Sequence, residues 1–160
     1  LTTGQVAALT TAQLATLNSG TIAGLNSTQI AALTTAQAAS LSTAGLVSFS
    51  TEQVAALSSK VIGSLSTDQL VAMTTGQIEA LSSTQVAALS SAAISALESA
   101  DLALFSTDDI AAIKTSAIAG LSTDDINNLT TQQAQAVTTA QVQAMNSDQV
   151  AAIVAKYQSI

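Results

Sequence analysis

One phrase of eight residues recurs through this chain without insertion or deletion. Leu65-Ser66-Thr67-Asp68-Gln69-Leu70-Val71-Ala72 is followed at once by Met73-Thr74-Thr75-Gly76-Gln77-Ile78-Glu79-Ala80, and the 160 residues fill 20 such rows. The consensus is Leu, Ser/Thr, Ser/Thr, variable, Gln, Val/Ile/Leu, Ala-like, small. A fixed short period is the signature of a repeat architecture, and it governs the reading of every segment inside it.

Position one of the octad is always a large apolar residue; Phe49, Phe105, Met73, Met145, Ile113, Val137 and Ile153 stand in for Leu. Position six is Val, Ile or Leu, reduced to Ala at Ala38 and Ala134 and replaced by Gln158 in the last row. A continuous helix cannot use this pattern, because steps of five and three residues at about 100° each swing the apolar side chains around the cylinder. A strand fails as well, since positions one and six have opposite parity and would face opposite ways.

A short helix restarted in every octad does fit. Ser66 acts as N-cap and Gln69, three residues on, returns a bond to complete a capping box; Ser82 with Gln85 and Thr74 with Gln77 repeat the arrangement. Leu65 and Leu70 then occupy the two ends of a hydrophobic staple. Position three is Ser or Thr even more consistently than position two, where Glu98, Lys114 and Val154 intrude. The cap is therefore placed at position two because that choice alone explains both the Gln and the staple. Helices this short are not stable alone and must be held by their neighbours. The expected core comprises Leu9, Leu17, Leu25, Leu33, Leu57, Leu65, Leu81, Leu89 and Leu121 at position one, with Ile30, Val54, Ile78, Val86 and Ile110 at position six.

The reading is an all-α solenoid of about twenty very short helices over residues 1–160, in one domain. Rows three, six, twelve and fifteen replace the Gln with Thr21, Gly45, Ala93 and Ala117, which hints at three octads per superhelical turn; two per turn is an equally simple solution. Row twenty, residues 153–160, keeps only its first consensus residue and reads as a degenerate terminal repeat or cap. Leu1 is not an initiating Met, so a processed product or a fragment of a longer array is expected.

Composition narrows the chemistry. Pro, Cys, His and Trp are absent, charged residues make up 8%, and the net charge is −7. No thiolate site or disulfide framework is available. Three Lys offer no footprint for nucleic acid, and no apolar run reaches the length of a membrane span. Ser and Thr abound but recur at cap positions, where a structural role accounts for them, so no catalytic residue is assigned. Asp108, Asp109, Asp124 and Asp125 are weak calcium candidates. Compensation of the helix dipole by acids in a first turn explains them better, and no EF-hand or calcium-nonapeptide spacing is present. No cofactor is expected. The sequons at Asn26-Ser27-Thr28 and Asn128-Leu129-Thr130 arise readily in a chain so rich in Ser and Thr.

Phrases such as Leu33-Thr34-Thr35-Ala36-Gln37 and Leu81-Ser82-Ser83-Thr84-Gln85-Val86-Ala87-Ala88-Leu89 resemble the LTTxQIxAL arrays of long bacterial secreted or surface-attached repeat proteins. The resemblance spans nearly the whole chain, while rows thirteen to sixteen and row twenty depart from it. It implies an extracellular or cell-surface location and a role as adhesin-like, filament or surface-layer material, and it carries over no functional residue. The expectation is a non-enzymatic fibre, sheath or stalk whose partner is a further copy of itself. The alternative is a binding or display module for protein, glycan or calcium, using positions four and five of rows twelve to sixteen. Ice binding by ordered hydroxyl columns is a distant third.

Overall fold

The computed structural model describes residues 1–158, and the last two residues of row twenty, Ser159 and Ile160, lie outside the described residues. The described residues form nineteen helices and no strand. Numbered in chain order, each helix falls in the octad row of the same number.

Every third helix stacks. One side of the solenoid is built from α1 (Thr3–Ala8), α4 (Ser27–Ala31), α7 (Thr51–Ala56), α10 (Thr75–Glu79), α13 (Ser99–Leu102), α16 (Thr123–Asn128) and α19 (Ser147–Gln158), each packed on the next. The second side holds α2 (Thr11–Thr16), α5 (Thr35–Ala39), α8 (Ser59–Ile62), α11 (Ser83–Val86), α14 (Thr107–Ala112) and α17 (Thr131–Ala136), and its top helix also packs on α19. The third holds α3 (Ser19–Ala23), α6 (Thr43–Val47), α9 (Thr67–Val71), α12 (Ser91–Ala96), α15 (Thr115–Ile118) and α18 (Thr139–Ala144). Three octads therefore complete a turn, and the two-octad alternative is set aside. The protein is an all-α solenoid.

The corner between helices explains why eight residues suffice. The position-one N–H bonds back to the position-six carbonyl, as in Leu33 N to Ile30 O at 3.0 Å and Leu81 N to Ile78 O at 3.1 Å. This tight closure ends the helix. Positions one and two are then extended where the helix runs its full six residues, for example Leu57 at φ −61°, ψ 138° ahead of Ser58 at φ −66°, ψ 150°. Among the described residues none, glycine included, adopts positive φ. The corner uses only backbone conformations open to any L-residue, so Leu-Ser and Leu-Thr pairs make it as well as any special turn sequence.

Positions one and six interlock into one continuous core. Leu25, Leu33, Leu57, Leu65, Leu81, Leu89, Leu121, Ile30, Val54, Ile78, Val86 and Ile110 are buried, each removing roughly 1.5–3 kcal/mol of apolar surface from water. Leu9 and Leu17 are a correction: they are only half buried, because the first turn has neighbours on one side alone.

Row twenty departs further. Its position two is Val154, which cannot cap, and the helix of row nineteen continues into it as far as Gln158, forming the twelve-residue α19. The described residues thus hold nineteen helices, in keeping with about one per octad. Lys114 in row fifteen also provides no cap, yet α15 restarts there because α12 and α18 hold it from both sides.

Two glycines mark close approaches between turns. A Cβ on Gly63 would lie 2.7 Å from the Ala88 carbonyl oxygen, and one on Gly120 would overlap that of Ser91. Gly120→Ala should cost about 1–3 kcal/mol by overpacking. Gly4→Ala, whose Cβ meets nothing nearer than 4.0 Å, should leave thermal melting unchanged or raise it. Replacing Leu65 and Leu81 together by Ser should unfold the rows around them, seen as lost helical circular dichroism and a lower melting temperature.

Candidate functional site

The caps sit at position two. Ser66 Oγ accepts from Gln69 N at 3.1 Å while Ser66 N donates to Gln69 Oε1 at 2.9 Å, and Thr74 with Gln77 does the same at 3.3 and 2.9 Å. Ser82 differs: its backbone N–H and its hydroxyl both donate to Gln85 Oε1, at 2.8 and 3.0 Å, while Gln85 N turns to the Ser82 carbonyl at 2.8 Å.

The capping box uses only half of each glutamine. Position five is a third buried column, with Gln37, Gln53, Gln69, Gln77, Gln85, Gln133, Gln141 and Gln149 all inside. In each of these the side-chain amide reaches into the turn below. Gln69 Nε2 donates to Ala38 O at 2.9 Å and Leu41 O at 2.8 Å; Gln77 Nε2 donates to Leu46 O at 3.0 Å and Phe49 O at 2.9 Å. Gln141 repeats the pattern on Ile110 O at 2.8 Å and Ile113 O at 2.7 Å. In these three the acceptors lie 31 and 28 residues back, and they are the position-six and position-one carbonyls at the helix corner one turn down; Gln53 takes the position-seven carbonyl of Ala23 with that of Leu25.

The reason for glutamine follows from its atoms. The corner leaves the position-one carbonyl without an intrahelical partner, and a buried unpaired carbonyl is costly. Only a side chain with one acceptor and a two-proton donor can take the N-cap N–H and satisfy two carbonyls at once. Glutamine does so, and it ties the start of one helix to the corner below. Sequence reading found the local half of this residue and missed the half between turns, since nothing within one octad points to it.

Where Asp stands at position five the donor is lost. Asp109 Oδ2 accepts from Ser106 N at 2.9 Å and Ser106 Oγ at 2.6 Å; Asp125 Oδ2 accepts from Ser122 N and Ser122 Oγ, each at 2.7 Å. Asp125 also takes the Ser99 hydroxyl from the turn below at 2.7 Å. Asp109 and Asp125 are 8% and 7% exposed, and Asp108 and Asp124 beside them are solvent-facing. These four do not converge: α14 lies in one stack and α16 in another. Among the described residues no three acids gather in one place, and no pocket opens.

The pKa of Glu52 is held below the usual carboxylate value mainly by the Ser50 hydroxyl, donating at 2.8 Å. A lowered folded-state value stabilises the fold above the unfolded pKa and is lost as pH falls through the folded one. Ser50→Ala should move the Glu52 titration, followed by NMR, back toward the ordinary range. Gln69→Ala should cost about 2–4 kcal/mol by leaving the buried Leu41 carbonyl and the Ser66 N–H without their side-chain partner, against roughly 0.5–2 for Ser66→Ala, which removes one cap. Gln69→Glu should cost at least as much as Gln69→Ala, since it keeps the acceptor and sets a charge against both carbonyls; urea unfolding of the three variants checks the order.

Comparison with curated proteins returns no match. The family model of the ALTTAQ repeat matches six overlapping stretches, residues 6–43, 39–67, 48–83, 62–99, 94–131 and 103–139. Its defining phrase is legible here as Ala32-Leu33-Thr34-Thr35-Ala36-Gln37, the corner, the cap and the clamping glutamine in order. The matches together run through most of the solenoid, and the chain belongs to the ALTTAQ repeat family.

Proposed function

We propose that this protein is a non-enzymatic structural element of a bacterial exterior, a fibre, sheath or adhesin stalk built by stacking octads and by association with further copies of itself. The observation that carries the reading is the glutamine column. Wherever a glutamine stands at position five above another turn, its side chain holds one turn to the next, which is what a rod under tension requires. Solenoid stability grows with the number of such interfaces.

The first turn supports the self-association part. Gln5 and Gln13 make only their capping bonds, and Leu1 is 64% exposed, whereas the same positions one or two turns on are buried. A further turn of the same kind, whether from a longer array or from another copy, would meet these groups as the turns of the solenoid meet one another. The resemblance to secreted bacterial arrays supports an extracellular or cell-surface setting.

A display role is the second reading, favoured by one observation. The stack α7, α10, α13, α16 and α19 carries Glu52, Glu79, Glu98, Asp101, Asp124, Asp125 and Asp148, seven of the ten acids, against one Lys, Lys156 in the last turn of α19. Such a side suits a cationic partner. Electron microscopy of the purified chain at rising concentration, with and without calcium, separates the two. Fibres of uniform width in both conditions are expected; short rods that never associate would transfer the weight to display.

A further inference from the structure

The clamps are not evenly distributed. Amides bridge turns from rows four, five, seven, nine, ten and eleven through Gln29, Gln37, Gln53, Gln69, Gln77 and Gln85. They resume only with Gln133, Gln141 and Gln149 in rows seventeen to nineteen. The isolated gaps at Gly45 and Val61 have clamped rows beside them. Rows twelve to sixteen differ, because Ala93, Asp101, Asp109, Ala117 and Asp125 leave five consecutive rows without one. Among the described residues the side chains of these rows reach the turn below only through Asp125, which accepts from Ser99, while Gln133, Gln141 and Gln149 hold rows thirteen to sixteen from above.

Apolar burial continues unbroken there through Ile94, Leu102, Phe105, Ile110 and Ile118. It holds the turns together, but it is non-directional. A hydrogen bond weakens steeply when its angle or distance changes, so the glutamines fix register and the apolar contacts alone do not. We propose that the interface where rows twelve to fourteen lie unclamped on rows nine to eleven is a built-in flexible joint between two clamped blocks, residues 1–88 and 97–158, which open and pivot against each other there. The chain then bends at one defined place in its length instead of uniformly.

The joint reverses the ordinary expectation for a repeat array, in which the ends fray first and the middle is most protected. Hydrogen–deuterium exchange read by mass spectrometry on the full chain tests it. Amides of residues 91–128, corrected for intrinsic rates, should exchange about tenfold or more faster than those of residues 51–86. The double variant Asp109→Gln, Asp125→Gln, which restores donors facing the Ile78–Leu81 and Ile94–Leu97 corners, should slow that stretch and leave residues 51–86 as they were. A second variant, Gln69→Ala with Gln77→Ala, should extend fast exchange into the first block. Protection greatest in residues 91–128 of the unaltered chain would overturn the proposal, as would a folded double-glutamine variant with unchanged rates.

Discussion

The rest of the structure depends on the corner between two helices, where a carbonyl is left over. An eight-residue unit is too short to satisfy its own backbone: the helix closes on its position-six carbonyl, and the extended position-one residue that follows presents an acceptor to the interior. Every other feature answers that acceptor. The glutamine must stand where it can cap its own helix and still reach the corner 28 and 31 residues back, which requires three octads per turn. Position six must be apolar to fill the centre, and position eight is small in nearly every row, so that turns lie close enough for an amide to span them.

That dependence makes the solenoid a chain of identical joints more than a set of helices. No single helix here is long enough to persist in water, and the local cap contributes little unless the turn below is present. Cooperation between neighbours is therefore expected to be strong where glutamines bridge and weaker in rows twelve to sixteen, where Asp and Ala stand in their place. The acids in that block lie at first-turn positions, where carboxylates suit the helix N-terminus, and Asp109 and Asp125 keep the cap while giving up the clamp.

Much of this was legible in the sequence. The restarted helix, the cap at Ser66 and Thr74, the Leu65–Leu70 staple and the buried apolar columns all follow from interactions within eight residues. The three-row rhythm of Thr21, Gly45, Ala93 and Ala117 pointed to the number of octads per turn, although alone it did not separate three from two. What stayed hidden is long-range. The inter-turn bonds of Gln69 join residues with no pattern of their own, and the capping box already gave glutamine a sufficient reason to recur. The fusion of rows nineteen and twenty depends on Val154 together with the neighbours of α19. The half-exposure of Leu9 and Leu17 depends on what lies below them, which an identical octad elsewhere does not share.

The most direct test is NMR of the Gln69 side-chain amide in the intact chain. The account predicts protons that exchange slowly with solvent, together with scalar couplings from Nε2 across its hydrogen bonds to the carbonyl carbons of Ala38 and Leu41. The Gln5 and Gln13 amides, which bridge nothing, should exchange at once. Fast exchange at Gln69, with no coupling to either carbonyl, would mean that glutamine is only a local cap and that the turns are held by apolar packing alone.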